Sequence, residues 1–214
     1  MSAQIANLSS DRVSFFEGFE NPLLNITLQL EVPDFIPACK ERGIPVSQYF
    51  FFHLSSAIHE IENFRYRLRN GKVHVLENMM LSNTVLTSEK FINFTLFEFH
   101  PHEGEFLKRS LLSKRVAEKS RELCNTGPNI SKEDLNRICF FTSLPWVNFT
   151  SIQHPVYRFK SNDMPSFAWG KFIQKQGKVL LSLSVQAHHG LVDGLHIGQL
   201  SETLTKMIRN DLES

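Results

Sequence analysis

His188-His189-Gly190-Leu191-Val192-Asp193-Gly194 sets an imidazole and a carboxylate four residues apart. Side chains of these types can carry a proton and orient the group that carries it, which makes the stretch a candidate general base with a partner beside it. The residues before it read as a strand. From Val179 to Ala187, Leu181, Leu183, Val185 and Ala187 alternate with Ser182, Ser184 and Gln186, the two-residue period of a half-buried strand. Carried through the pair, that alternation puts His189 at the end of the apolar row and His188 on the polar one. An imidazole ending an apolar row is partly desolvated, which favours its neutral, basic form near pH 7. Asp193-Gly194 then opens a helix, with Ile197, Leu200, Leu204 and Met207 at helical spacing and Asp193 at the N-cap. A metal would need His189, Asp193 and His196 to converge. With no Cys/His cluster to add further ligands, no metal is expected.

Other elements must hold this junction in place. Asn25 to Val32 alternates like a strand that Pro33 breaks, followed by a short helix ending near Gly43. Ser47 can cap a helix carrying Phe50, Phe51, Leu54, Ile58 and Ile61 on one side. Asn70-Gly71 signals a hairpin, with a strand through Val73 and Val75. Ile92 to Phe99 reads as a strand buried on both faces, and Leu107 to Leu123 as a basic amphipathic helix. Further strands are expected at Cys139–Thr142, Phe167–Ile173 and Val179–Ala187. Interleaved strands and helices predict an α/β fold, a two-layer sandwich with a mixed sheet covered by helices on one face. No repeat or Pro/Gly-rich linker interrupts the chain, so residues 1–214 are read as one domain.

Composition narrows the classes of function. The 214 residues are 42% hydrophobic, enough for one well-filled core, and carry 19 phenylalanines. A formal charge of +1 gives no electrostatic reason to expect nucleic acid or an anionic membrane. No apolar run approaches a membrane span. Cys39, Cys124 and Cys139 lack paired metal spacing, and the N-terminus lacks the basic-then-apolar pattern of a signal peptide. A reduced, cytoplasmic protein is the expectation. The second face of the sheet is open, and a sheet this rich in Phe cannot leave it wet without exposing a large apolar patch, for which oligomerisation is the remedy.

His-His-x-x-x-Asp-Gly-x-His resembles the active-site signature of the chloramphenicol acetyltransferases. The same histidine-aspartate-glycine core occurs in dihydrolipoamide acyltransferases and peptide-synthetase condensation domains, but those need further domains or a longer chain. Lipoyl-dependent enzymes would also place an Arg where this chain has Gly190. Three more segments carry the resemblance: Arg12, Phe16 and Phe19; Thr142-Ser143-Leu144-Pro145-Trp146-Val147-Asn148-Phe149; and Pro165-Ser166-Phe167-Ala168-Trp169-Gly170-Lys171-Phe172. The resemblance implies a homotrimer with active sites at subunit interfaces, acetyl-CoA as co-substrate and a small-molecule hydroxyl as acceptor.

Site roles follow from the same resemblance. It implies His189 as general base, Thr142 as oxyanion donor, and an Asp193–Arg12 pair that is structural at the site, with His188 packing beside it. Trp146, Lys171 and Phe172 line the coenzyme channel, and Phe16 and Phe19 bind the acceptor. Ser143 is adjacent to the donor position, but on a strand it points to the opposite face. Three positions depart from the family pattern: Thr142 stands in place of a serine, Ala168 in place of a water-holding threonine, and Gly18 where the chloramphenicol pocket has a ring. An acetyltransferase with another acceptor and a non-catalytic ligand-binding relative therefore stand as alternatives.

Overall fold

The computed structural model describes residues 4–5, 10–126, 129–156 and 162–214. The N-terminal stretch read for a leader lies mostly outside them. The strands are β1 (Gln4–Ile5), β2 (Leu23–Pro33), β3 (Tyr66–Arg69), β4 (Lys72–Val75), β5 (Met80–Leu86), β6 (Ile92–Phe94), β7 (Phe97–Glu98), β8 (Ile138–Ser143), β9 (Ser166–Trp169), β10 (Ile173–Lys175) and β11 (Lys178–His188). The helices are α1 (Ser10–Glu17), α2 (Ile36–Glu41), α3 (Val46–Glu60), α4 (Glu103–Lys119), α5 (Lys132–Leu135) and α6 (Gly194–Leu212). A mixed α/β architecture is thus in place.

The large sheet runs β10-β11-β9-β8-β5-β6, with β2 along β11 and β7 beside β5. Only the β5–β8 and β8–β9 pairs are parallel; the other pairings are antiparallel. The alternation read in the sequence decides which face is buried. Leu181, Leu183, Val185 and Ala187 join Phe141 and Phe167 in a core. Phe51 of α3 meets Phe141 at 4.9 Å and Phe106 of α4 at 5.3 Å. Burying large rings at such edge-on geometry supplies both apolar area and favourable quadrupole contacts. Ile197, Leu200, Leu204 and Ile208 are the buried row of α6.

Several elements differ from expectation. β2 extends through Pro33 rather than breaking before it. α3 starts at Val46 after an N-cap Pro45 without a side-chain cap, so Ser47 lies inside the helix. The strand expected from Ile92 to Phe99 splits into β6 and β7. At the break the Thr95 hydroxyl accepts from the Asn83 amide, and the Leu96 amide turns to Ser113 Oγ. Ile92 is 57% exposed, so that segment is not buried on both faces. α4 begins at Glu103, with Leu112 and Val116 outward. β9 and β10 separate where Gly170 donates to the Ser182 carbonyl and Lys171 to the Val147 carbonyl.

The second sheet face also differs. It presents Asn25, Thr27 and Gln29 of β2 opposite Gln186, Ser184 and Ser182 of β11, not bare phenylalanine. The chain itself crosses this face. Asn25 donates to the Ile152 carbonyl, the His154 amide to Gln186, and Ser182 to the Phe149 carbonyl. Side-chain polar atoms here satisfy the backbone of an irregular segment that has no ladder partner.

Candidate active site

β11 ends at His188, and the chain turns through His189–Val192 into α6. The turn is tight. His188 is 1% exposed, and its Nδ1 accepts the Gly190 amide at 3.1 Å. A Cβ on Gly190 would lie 3.0 Å from the His188 ring and 3.1 Å from Val13 Cα, so only glycine fits without displacement. Burial lowers the His188 pKa, with the neighbouring His189 adding to the effect and Asp163 opposing it. A neutral imidazole packed between β11 and α1 is the result.

His189 projects from the turn, half-buried. Its amide donates to the Pro22 carbonyl at 2.8 Å. Its Nδ1 lies 3.3 Å from the Val192 carbonyl oxygen. A carbonyl can only accept, so in the neutral ring this contact assigns the proton to Nδ1 and leaves Nε2 with the lone pair. Phe16 of α1 lies against the ring, with centroids 4.2 Å apart and planes tilted by 32°. Phe15 and Phe19 extend the aromatic edge at 5.2 Å from Phe16 and 5.4 Å from Phe15, respectively.

Arg12 joins α1 to this junction. Its Nη2 donates to the His189 carbonyl at 3.1 Å and to Asp193 Oδ2 at 3.0 Å. Asp193 caps α6, with Oδ1 accepting the Leu195 amide at 3.0 Å, while its own amide donates to His196 Nδ1 at 3.0 Å. This is a capping box with histidine in the usual glutamate place. His196 Nδ1 also lies 2.9 Å from Asp193 Oδ1. Since Nδ1 accepts from an amide, the neutral ring is the consistent state, and burial and Arg12 lower its pKa against Asp193. Burial acts to raise the Asp193 pKa, but the Arg12 hydrogen bond, His196 and the Arg12 charge together outweigh it, and the carboxyl lies below its usual value.

A second group forms toward the other end of the sheet. Thr142, near the end of β8, pairs in register with Ala168, and Ala168 with Ser184. In-register neighbours share a face, so Thr142 lies on the polar face and Ser143 on the opposite one. Leu144 donates to the Trp169 carbonyl at 2.9 Å and Lys171 to the Val147 carbonyl at 3.0 Å. These bonds hold the loop after β8 against the end of β9, bringing Trp146, 69% exposed, and the exposed Lys171 near Thr142. Phe172 is half-buried and packs edge-on to Phe35 at 5.6 Å and Phe50 at 5.3 Å.

The two groups do not meet within one chain. His189 lies five residues beyond Ser184, and Thr142 two strands to its side, which by strand geometry separates them by about 19 Å. Arg12, Phe16, His188, His189 and Asp193 are brought together, and Thr142, Trp146 and Lys171 form a separate group. Sequence reasoning missed the Val192 carbonyl, a backbone group with no residue-type signal, and Phe15, which sits one position before the matched Phe16. It weighed His196 only as a metal ligand, although the Asp-x-x-His spacing is compatible with its capping role. Among the described residues no group of side chains could hold a metal ion.

A family model described as chloramphenicol acetyltransferase matches residues 4–205. The chloramphenicol acetyltransferase of Proteus mirabilis is 24% identical over 186 residues, 86% of this chain and 83% of that protein. That of Bacillus pumilus is 27% identical over 187 residues, 87% and 83% of the two chains. A solved chloramphenicol acetyltransferase aligns over 97% of this chain and all of its own, with a TM-score of 0.81 at 22% identity. The cubic core of a pyruvate dehydrogenase multienzyme complex shares the fold more distantly, at a TM-score of 0.63 and 12% identity over 97% of this chain and 91% of its own. With a family model matched along nearly its whole length, this chain belongs to the chloramphenicol acetyltransferase family and is an acyltransferase.

Proposed function

We propose that the chain moves an acetyl group from acetyl-CoA to the hydroxyl of a small molecule, with His189 as general base. The observation that carries this reading is the contact of His189 Nδ1 with the Val192 carbonyl, which leaves Nε2 free to take a proton. The Phe16 ring and the Arg12–Asp193 pair brace the turn that presents it. Nε2 takes the acceptor's proton as the hydroxyl oxygen attacks the thioester carbonyl. Thr142 Oγ1 donates to the developing oxyanion, the C–S bond then breaks, and the proton passes from Nε2 to the departing thiolate. Atoms and charge balance without a covalent acyl-enzyme.

The separation of Thr142 from His189 supports a site assembled from two copies of the chain. In a closed ring of three, each interface would pair the His189 side of one copy with the Thr142 side of the next. Trp146 and Lys171 then lie beside the thioester donor, and Phe16 and Phe19 beside the acceptor.

The acceptor differs from chloramphenicol in this reading. Gly18 replaces a ring, and a Cβ added there would lie 3.2 Å from the Phe15 carbonyl oxygen, a close contact that a side chain could enter only with a small local shift. A lost aromatic forfeits roughly 1–3 kcal/mol of stacking and burial, about ten- to a hundredfold in affinity. Thiol release from acetyl-CoA, measured against chloramphenicol and a panel of hydroxylated acceptors, tests the reading. Release with at least one acceptor and weak chloramphenicol turnover is expected. A chloramphenicol kcat/KM near the ceiling of about 10⁸ M⁻¹s⁻¹ would contradict the acceptor assignment.

A further inference from the structure

On the helix-covered side of the sheet, a cleft of about 220 Å³ opens between β5, the first turn of α3 and the middle of α4. Ser47, Gln48, Asn83, Ser110, Ser143 and Trp146 are among its walls. Its hydrogen-bonding groups are almost all neutral, and the Lys114 ammonium on its rim faces Glu118 at 3.3 Å. Such walls suit an uncharged, hydrogen-bonding ligand better than a phosphate or carboxylate. Most of the polar wall is already paired. Ser110 donates to Gln48 Oε1 at 2.6 Å, and the Asn83 amide and carbonyl are both taken by Thr95.

The Asn83 carboxamide stands apart from this. Asn83 is 7% exposed, yet its Oδ1 has no hydrogen-bond partner among the described residues. It pairs in register with Phe141, which places its side chain on the helix side of β5, where the cleft lies. A buried acceptor left unmatched is costly, and a donor supplied by a bound ligand would relieve that cost. The cleft reaches Ser143 on the helix side, at the end of β8 where Thr142 faces the other way, and the exposed Trp146 ring at its mouth, on the loop that leaves that strand end, adds apolar surface.

We infer that Asn83 is a donor-specificity residue, whose carboxamide oxygen accepts an amide N–H from the linear arm of the acyl thioester seated in this cleft. The inference rests on the acetyl-transfer reading and names one contact within it. Loss of that hydrogen bond weakens donor binding and leaves the chemical step alone.

Asn83→Leu keeps the side-chain size and removes the carboxamide. It is assayed beside the parent with acetyl-CoA and with S-acetyl-2-mercaptoethanol, a thioester without amides. The acetyl-CoA KM should rise about tenfold or more with kcat within about twofold, and the small thioester should behave alike in both proteins. An unchanged acetyl-CoA KM, or equal losses with both donors, overturns the proposal. Calorimetry with CoA reads the same contact without turnover. CoA binding weakened in the variant, with no transfer even by the parent, would refute the acetyl-transfer reading and support the contact. Full transfer with equal KM would do the reverse. If Asn83→Leu does not fold, the parent decides alone. N-methylation of the amide in S-acetyl-N-acetylcysteamine should cut kcat/KM about tenfold, and equal rates would overturn the contact.

Discussion

His189 and Thr142 stand or fall by their effects on the chemical step. His189→Ala should lower kcat by about 10²–10⁴-fold with an unchanged circular dichroism spectrum, since it removes the base and little packing. Activity within tenfold of the parent, on the order of what a non-catalytic contact contributes, would remove it from the mechanism. His188→Ala should act the other way, lowering the denaturation midpoint more than the rate, because His188 is buried and its Nδ1 accepts the Gly190 amide. Thr142→Ala should cut kcat by about 10²–10³-fold with KM little changed, and Thr142→Ser should match or exceed the parent. The residue types of this site were legible from spacing and resemblance. The tautomer of His189 was not. It depends on the Val192 carbonyl, whose direction is set by a turn around Gly190 that no residue type announces.

At the scale of elements, Arg12 ties α1 to the start of α6. A double-mutant cycle on Arg12→Ala and Asp193→Asn should show coupling above about 0.5 kcal/mol in denaturant unfolding, whereas strict additivity would reduce Asp193 to a helix cap. The depressed Asp193 pKa sets the sign with pH. The pair's contribution is present above the ordinary carboxylate value of about 3.9 and is lost as pH falls through the lower folded value. A second tie lies at the far end of α6. Asp211 accepts from Tyr49 at 2.7 Å and from Arg42 at 2.8 Å, and His53 Nε2 lies 3.8 Å away. Burial lowers the His53 pKa from 6.5 to about 4, Asp211 opposing and Arg42 assisting. Stability from neutral His53 is present above pH 6.5 and falls by about 3 kcal/mol as pH drops to 4. His53→Leu should flatten that part of the stability curve, and an unchanged slope would contradict the assignment. Strong periodicity made β2, α3 and β11 legible, with ends displaced by a residue or two. Ile92 to Phe99 failed because an apolar run carries no sign of the Thr95 hydroxyl breaking the ladder. The start of α4 was misplaced because Glu103 and Glu105, acidic residues favourable at a helix N-terminus, precede its apolar row.

For the whole molecule, the phenylalanine content correctly signals a thick core but misleads about the second sheet face. Alternation concentrates the rings on the helix side, and residues 147–156 cross the polar side. The case for the proposed second copy lies elsewhere. Thr142 and His189 sit about 19 Å apart by strand geometry, too far for one reacting centre. Phe15 at 63% exposure and Phe19 at 54% leave an aromatic edge open beside His189. The proposed ring places the Thr142 side of a neighbour there. Subunit complementation tests this most directly. His189→Ala and Thr142→Ala chains are unfolded, mixed in equal amounts, refolded together and assayed for acetyl-CoA-dependent thiol release. In a head-to-tail ring, random mixing gives about one quarter of the sites an intact His189 facing an intact Thr142, and activity should recover to about that fraction of the parent. Activity no higher than the mean of the two separate variants would contradict a site shared between copies.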